Sequence, residues 1–199
     1  MLADGANVEW TRQPGGDETC VPIRNLILSG DENGNAVYSP KAQLFLFLAD
    51  RAQHVDKHLG SVFHEKKMII CDRYFVSTLV FQHERCGMSW KELIPLNMMA
   101  MRLDSTNPDS VEIVLPELTL LLDLEPEHAA YRLNDRGGKN HFDSESIAGM
   151  EERRQRYLDV LAHLRATGMK SAVVDAGKPF QDVVKVCVDL IKKNLGVLK

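Results

Sequence analysis

Met68-Ile69-Ile70-Cys71-Asp72-Arg73 is a short apolar run that ends abruptly on two charged residues. Such a run reads as a strand buried in a parallel sheet, with a charged residue at its C-terminal end. A stronger run, Leu118-Thr119-Leu120-Leu121-Leu122-Asp123-Leu124, is followed by Pro126, which starts a helix. Residues 8–11 and 172–174 are shorter extended segments. Helical patterns fill the intervals. Ser39 caps a long helix with Pro40 at its first position, and Leu44, Leu48, Ala52, Val55, Leu59 and Phe63 mark its buried face. Ser89 and Glu92 form a capping box that opens a helix through about Met101. Residues 20–28 read as a short helix and residues 180–194 as the last one. Residues 145–166 read as a longer helix packed through Met150, Tyr157, Leu158, Leu161 and Leu164. Strands separated by helices predict an α/β fold, a parallel sheet with helices on both faces, built as a single domain over residues 1–199.

With 199 residues and 44% hydrophobic content, the chain can bury a full core. Its 24 basic and 28 acidic residues create no bulk basic field, which argues against nucleic acid as a partner. Cys20, Cys71, Cys86 and Cys187 show no Cys-x-x-Cys or Cys/His spacing, which fits a reducing compartment rather than a zinc site or disulfide framework. No apolar stretch approaches the ~18 residues of a membrane span, and the N-terminus has no signal-peptide pattern. The expectation is a cytoplasmic protein without a membrane partner.

Ligands of parallel α/β sheets sit beyond the carboxyl ends of the strands, which singles out Thr11-Arg12, Asp72-Arg73 and Asp175. Asp72 after an apolar strand has the pattern of a carboxylate that holds Mg²⁺ beside nucleotide phosphates, and equally that of a helix N-cap. Arg12 and Arg73 at equivalent strand ends suggest an anion site, because each guanidinium is a five-donor fork suited to phosphate. Phe47 and Arg51, one turn apart on the long helix, can stack on a base and bond its edge, although a Phe on an apolar helix is ordinarily core. Ser77, Thr78 and Gln82 can add polar contacts. Arg132, Arg136 and Lys139 surround Gly137-Gly138 in a basic loop of the kind that closes over polyphosphate, or that is simply solvated.

In order along the chain, six segments resemble the thymidylate kinase family: Thr11-Arg12-Gln13-Pro14-Gly15-Gly16; residues 39–55 with Leu48-Ala49-Asp50-Arg51-Ala52-Gln53; Cys71-Asp72-Arg73-Tyr74 with Ser77-Thr78 and Phe81-Gln82; residues 116–127; residues 153–158; and Val173-Val174-Asp175-Ala176. The resemblance implies transfer of the γ-phosphoryl group of ATP to dTMP, giving dTDP, with Mg²⁺ as cofactor. It implies that Arg12 and Arg73 bind the dTMP phosphate, that Phe47 stacks on thymine and that Arg51 reaches its carbonyl edge. Ser77, Thr78 and Gln82 would line the nucleoside pocket. Asp72 would sit near the metal and phosphates, and Arg132, Arg136 and Lys139 would belong to a lid at about residues 134–144. A homodimer through the long helices is the assembly this family often adopts.

Four departures from the family accompany the match, one of them residues 104–115, which look longer than the usual connection. No Gly-x-x-x-x-Gly-Lys-[Ser/Thr] string occurs, so the phosphate-binding loop and the central strand before it are missing from the sequence as given. Gln13 stands where the family usually carries Glu, and Val80 is bulkier than the common alanine. Little or no kinase activity is expected of the chain as given. Alternative readings are a non-catalytic nucleotide-binding relative and a kinase for another deoxynucleoside monophosphate. With its first central strand missing, the sheet is expected to show no ladder joining residues 68–71 directly to residues 118–124.

Overall fold

The computed structural model describes residues 8–65, 67–103, 111–136, 142 and 145–196. The chain divides into two compact units, Met1–Leu115 and Pro116–Lys199.

In the first unit, β1 (Val8–Arg12) pairs in parallel with β2 (Met68–Asp72), with Trp10 opposite Ile70 and Arg12 opposite Asp72. This register brings the two charged strand ends side by side, and the ladder continues one step, Gln13 N donating to Asp72 O at 2.9 Å. A 3₁₀ turn, Glu18–Cys20, precedes α1 (Val21–Leu28), so the expected helix over 20–28 is in fact two elements. Asp17 causes the break: its carboxylate accepts from Thr19 N and caps the tighter turn. The long helix α2 (Pro40–His54) is capped by the Ser39 hydroxyl, passes through a π-helical turn at Val55–Leu59, and resumes as α3 (Gly60–His64). Leu44, Leu48, Val55 and Leu59 are buried as the periodicity predicts, whereas Ala52 is half-buried. The side chain of Phe63 lies outside the described residues. Helix α4 (Phe75–Cys86) ends at Gly87 with φ 61°, and α5 (Trp90–Ala100) carries the predicted Ser89/Glu92 capping box. Val55, Leu59, Leu103 and Val114 form a core cluster against which Ile69 and Tyr74 pack.

In the second unit, β3 (Thr119–Asp123) pairs in parallel with β4 (Ser171–Asp175). Helices α6 (Pro126–Arg136), α7 (Ile147–Ala166) and α8 (Phe180–Leu195) complete it. Met150, Leu161 and Leu164 of α7 are buried as expected, but Tyr157 and Leu158 are only half-buried, and Val160 takes a core position instead. Arg154 of α7 makes a two-pronged ion pair with Asp123 at the end of β3, which holds that carboxyl below its usual range.

The described strands therefore build two separate two-stranded parallel ladders. Among the described residues no ladder joins residues 68–71 to residues 118–124. The expected α/β class with parallel strands is present. Residues 104–110 and most of the expected lid, Lys139 included, lie outside the described residues.

Candidate active site

The C-terminal ends of β1 and β2 carry Arg12, Asp72 and Arg73, all exposed. Arg73 has φ 63°, the one positive φ of a non-glycine residue among those described. That backbone costs roughly 1 kcal/mol or more for a side chain with a Cβ, and strain of this kind concentrates at ligand sites. The guanidinium of Arg73 lies 5.7 Å from the Phe81 ring centroid. Arg24 of α1, which the sequence reading did not single out, donates to Pro14 O at 2.7 Å. Its pKa is lowered, first by burial and then by the charge of Arg12, with Arg73 adding to it and Asp50 and Asp72 opposing it. Three arginines thus share one locality with too little acidic charge to balance them, which is an anion-seeking arrangement.

Beneath these ends lies a buried polar network. Arg51 is 1% exposed and spends its donors on neutral groups: Nε on Gln13 Oε1 at 3.0 Å, one terminal nitrogen on Asn97 Oδ1 at 2.6 Å, the other on Thr78 Oγ1 at 3.1 Å. Its charge also lies 5.3 Å from the Tyr74 ring centroid. Burial pushes its pKa down to about 10. Gln82 is fully buried, and its Nε2 has no hydrogen-bond partner among the described residues. Phe47 and Ser77 are half-buried nearby in sequence on α2 and α4. Of the expected site residues, Arg51 and Thr78 are thus brought together directly.

The turn Gln13-Pro14-Gly15-Gly16 is held from several sides. Asp50 Oδ1 accepts from Gly15 N at 2.8 Å, Thr11 donates its hydroxyl to Gly16 O at 3.2 Å, and the Gln13-Pro14 bond is cis. His54 contacts Thr11 Oγ1 at 2.8 Å and Gln13 Nε2 at 3.0 Å. His54, Asn97 and Arg24 escaped the sequence reading. Asn97 interrupts the apolar face of α5 one turn after Leu93, and His54 follows Asp50 by one turn of α2. A polar residue recurring on a buried helical face was the available signal.

Two buried groups here titrate in opposite senses. Burial raises Asp50 from 3.8 to about 6, against the pull of Gly15 N–H and Arg51, and lowers His54 from 6.5 to about 4. The folded state holds the Asp50 proton more tightly, so this contribution to stability is lost as pH rises from about 4 to 6. The folded state rejects a proton on His54, so that contribution is lost as pH falls from about 6.5 to 4. The two slopes offset one another. Asp50→Asn keeps an acceptor for Gly15 N and removes the first slope. Urea denaturation of this variant should show stability rising between about pH 4 and 6.5; a profile as flat as the parent's would contradict the burial argument for His54.

Arg132, in the second unit, is exposed and donates to Ala176 O at 3.0 Å. Arg136 is the last residue of α6; its side chain lies outside the described residues.

Arginines at the ends of parallel strands, with the buried Arg51 bonded to Gln13 next to Arg12, define a positively charged, polar site on an α/β fold. The family model for thymidylate kinase matches residues 1–186, so the chain belongs to the thymidylate kinase family. It is 35% identical over 199 residues to a thymidylate kinase of Nitratidesulfovibrio vulgaris, covering 96% of this chain and 82% of that protein. It is 32% identical over 183 residues to one from Bifidobacterium longum, covering 92% and 82%. The crystal structure of thymidylate kinase from Ehrlichia chaffeensis superposes with a TM-score of 0.60 at 22% identity, covering 94% of this chain and 80% of that one, a likeness of fold. No helix among the described residues is long and apolar enough to cross a membrane.

Proposed function

We propose that this chain is a dTMP kinase, whose reaction is attack of a dTMP phosphate oxygen on the γ-phosphorus of ATP. The bond to the β,γ-bridging oxygen breaks, and dTDP and ADP leave. The observation that supports it best is the clustering of Arg12, Arg24 and Arg73 near Asp72, with the buried guanidinium of Arg51 bonded to Gln13, the residue after Arg12. Arg12 and Arg73 hold the monophosphate, and Phe47 stacks on the base. Arg51 addresses the base's carbonyl edge, and Ser77, Thr78 and Gln82 line the nucleoside pocket. The partnerless Gln82 Nε2 supports that role, since a buried donor without a partner marks a place for a ligand or water acceptor. Catalysis in such a site is alignment and charge stabilisation. Arg132, Arg136 and Lys139 contribute lid charge.

ATP is the donor substrate and Mg²⁺ the accompanying ion. No group of three or more His, Cys, Asp or Glu gathers around a common point among the described residues, so Asp72 would supply one carboxylate and phosphates and water the rest. Mg²⁺ is commonly held that way beside nucleotides, and an exposed Asp72 at a strand end fits it. Bound there, the ion would neutralise charge on the phosphates.

Calorimetry should show dTMP binding more tightly than dCMP or dGMP. Arg73→Ala should weaken dTMP by roughly 1.5–3 kcal/mol through loss of a charge-assisted phosphate contact. Equal, negligible binding of all three monophosphates by a folded sample would sink the reading. A coupled assay addresses turnover. With no Gly-x-x-x-x-Gly-Lys-[Ser/Thr] string in the sequence, these residues alone should fall well below the ~1–100 s⁻¹ usual for kinases.

A further inference from the structure

The hydrogen bonds around His54 have directions that their chemistry dictates. Arg51 Nε can only donate, so the atom of Gln13 that faces it at 3.0 Å is the carbonyl oxygen. The other end of that amide, Nε2, can only donate, and it faces His54 Nδ1 at 3.0 Å. Nδ1 must therefore be unprotonated. The neutral ring then carries its proton on Nε2, which lies 2.8 Å from Thr11 Oγ1. The Thr11 hydroxyl, having accepted that proton's bond, passes its own hydrogen to Gly16 O at 3.2 Å. The chain is polarised from end to end, from the buried cation of Arg51 to the carbonyl of the Gly15-Gly16 turn.

We propose that His54 is a positioning residue: as the neutral Nε2–H tautomer it fixes which way the Gln13 amide faces, and through it the aim of Arg51 and the shape of the Thr11–Gly16 turn.

Protonating Nδ1 would set two donors against each other and free the amide to turn over, taking the acceptor from Arg51. The surroundings favour the neutral ring. His54 is fully buried, and burial is the largest cause holding its pKa near 4. His58 stacks on it at 5.4 Å and 6°, and the positive charge of Arg51 disfavours another on the ring. Asp17, before α1, acts in the opposite direction, and Glu9 lies 3.3 Å from His58.

The tautomer can be read without any ligand, by nitrogen-detected ring NMR on the intact chain. The expected result is Nε2 protonated and Nδ1 bare between about pH 5 and 8. An Nδ1–H tautomer, or an imidazolium above about pH 6, overturns the proposal. Gln13→Glu makes the neighbour an acceptor-only carboxylate, which should favour a proton on Nδ1 of His54, taken up from solvent or shifted from Nε2; an unchanged ring spectrum in that variant also overturns it. The consequence for binding rests on the dTMP reading above. His54→Gln keeps a donor for Thr11 but no acceptor for Gln13, and should weaken dTMP about tenfold. His54→Asn restores the acceptor at the Nδ1 position and should recover most of that loss. Equal losses in the two variants, scaling with their stabilities, would make His54 merely structural. If the parent binds no dTMP at all, the function reading fails while the ring spectra still decide the tautomer chain.

Discussion

Gly16→Ala should lower the unfolding free energy by about 3 kcal/mol, with a matching fall in denaturant midpoint. A methyl group at this position would press on Arg12 O, and would lie 2.5 Å from Thr11 Oγ1 and 2.6 Å from His54 Nε2. None of these atoms is the free end of a flexible side chain. One is backbone at the end of β1, and the other two are joined to each other by a hydrogen bond. Relief requires moving the strand end or breaking the Thr11–His54 bond, so nucleotide binding should fall along with stability. Backbone conformation is not the cause, since Gly16 is not among the positive-φ glycines. A loss smaller than about 1 kcal/mol would mean that the turn is far more yielding than its hydrogen-bonded anchors imply.

Arg51→Met should behave in the opposite way, costing function rather than fold. Among the described residues the guanidinium has no carboxylate as a hydrogen-bond partner, and the drop of its pKa to about 10 says that the site tolerates the charge poorly. Removing it relieves a desolvation penalty of several kcal/mol and orphans three neutral acceptors at about 1–3 kcal/mol each, so the two effects nearly offset. Met fills most of the volume of the arginine stem, which limits any cavity. Stability should stay within about 2 kcal/mol of the parent, while dTMP affinity falls roughly ten- to hundredfold from loss of a charge-assisted bond to the base. Outright unfolding of this variant would show that the cation is mainly structural. Unchanged affinity in a folded sample would remove Arg51 from the base site.

Much of the architecture was open to a reading of the residues alone. Four strands, the Ser39 and Ser89 caps and the helix after Pro126 follow from local chemistry: apolar runs, side-chain oxygens placed for orphan N–H groups, and a proline where a helix can accept it. Family membership was legible for the same reason, because Thr11–Gly16 and Cys71–Tyr74 are contiguous strings. The boundaries that moved were those where a neighbour intervenes, as where Asp17 tightens the turn before α1. What periodicity could not supply is the identity of partners for buried polar groups. Arg51 meets Gln13, Thr78 and Asn97, which lie 38, 27 and 46 residues away along the chain. His54 meets Thr11 across 43 residues, and Arg24 joins Arg12 and Arg73 only once α1 is folded back beside the strand ends. On a helical wheel a buried arginine and a solvent-facing one look the same, since both break the apolar stripe. Only packing decides which of them loses its water, and with the water goes the freedom of a hydrogen bond to point either way. The sequence alone determined the α/β class, the family and the charged strand ends; tertiary structure decided that Arg51 is a buried cation held by neutral groups and that one imidazole sets the direction of the bonds around it.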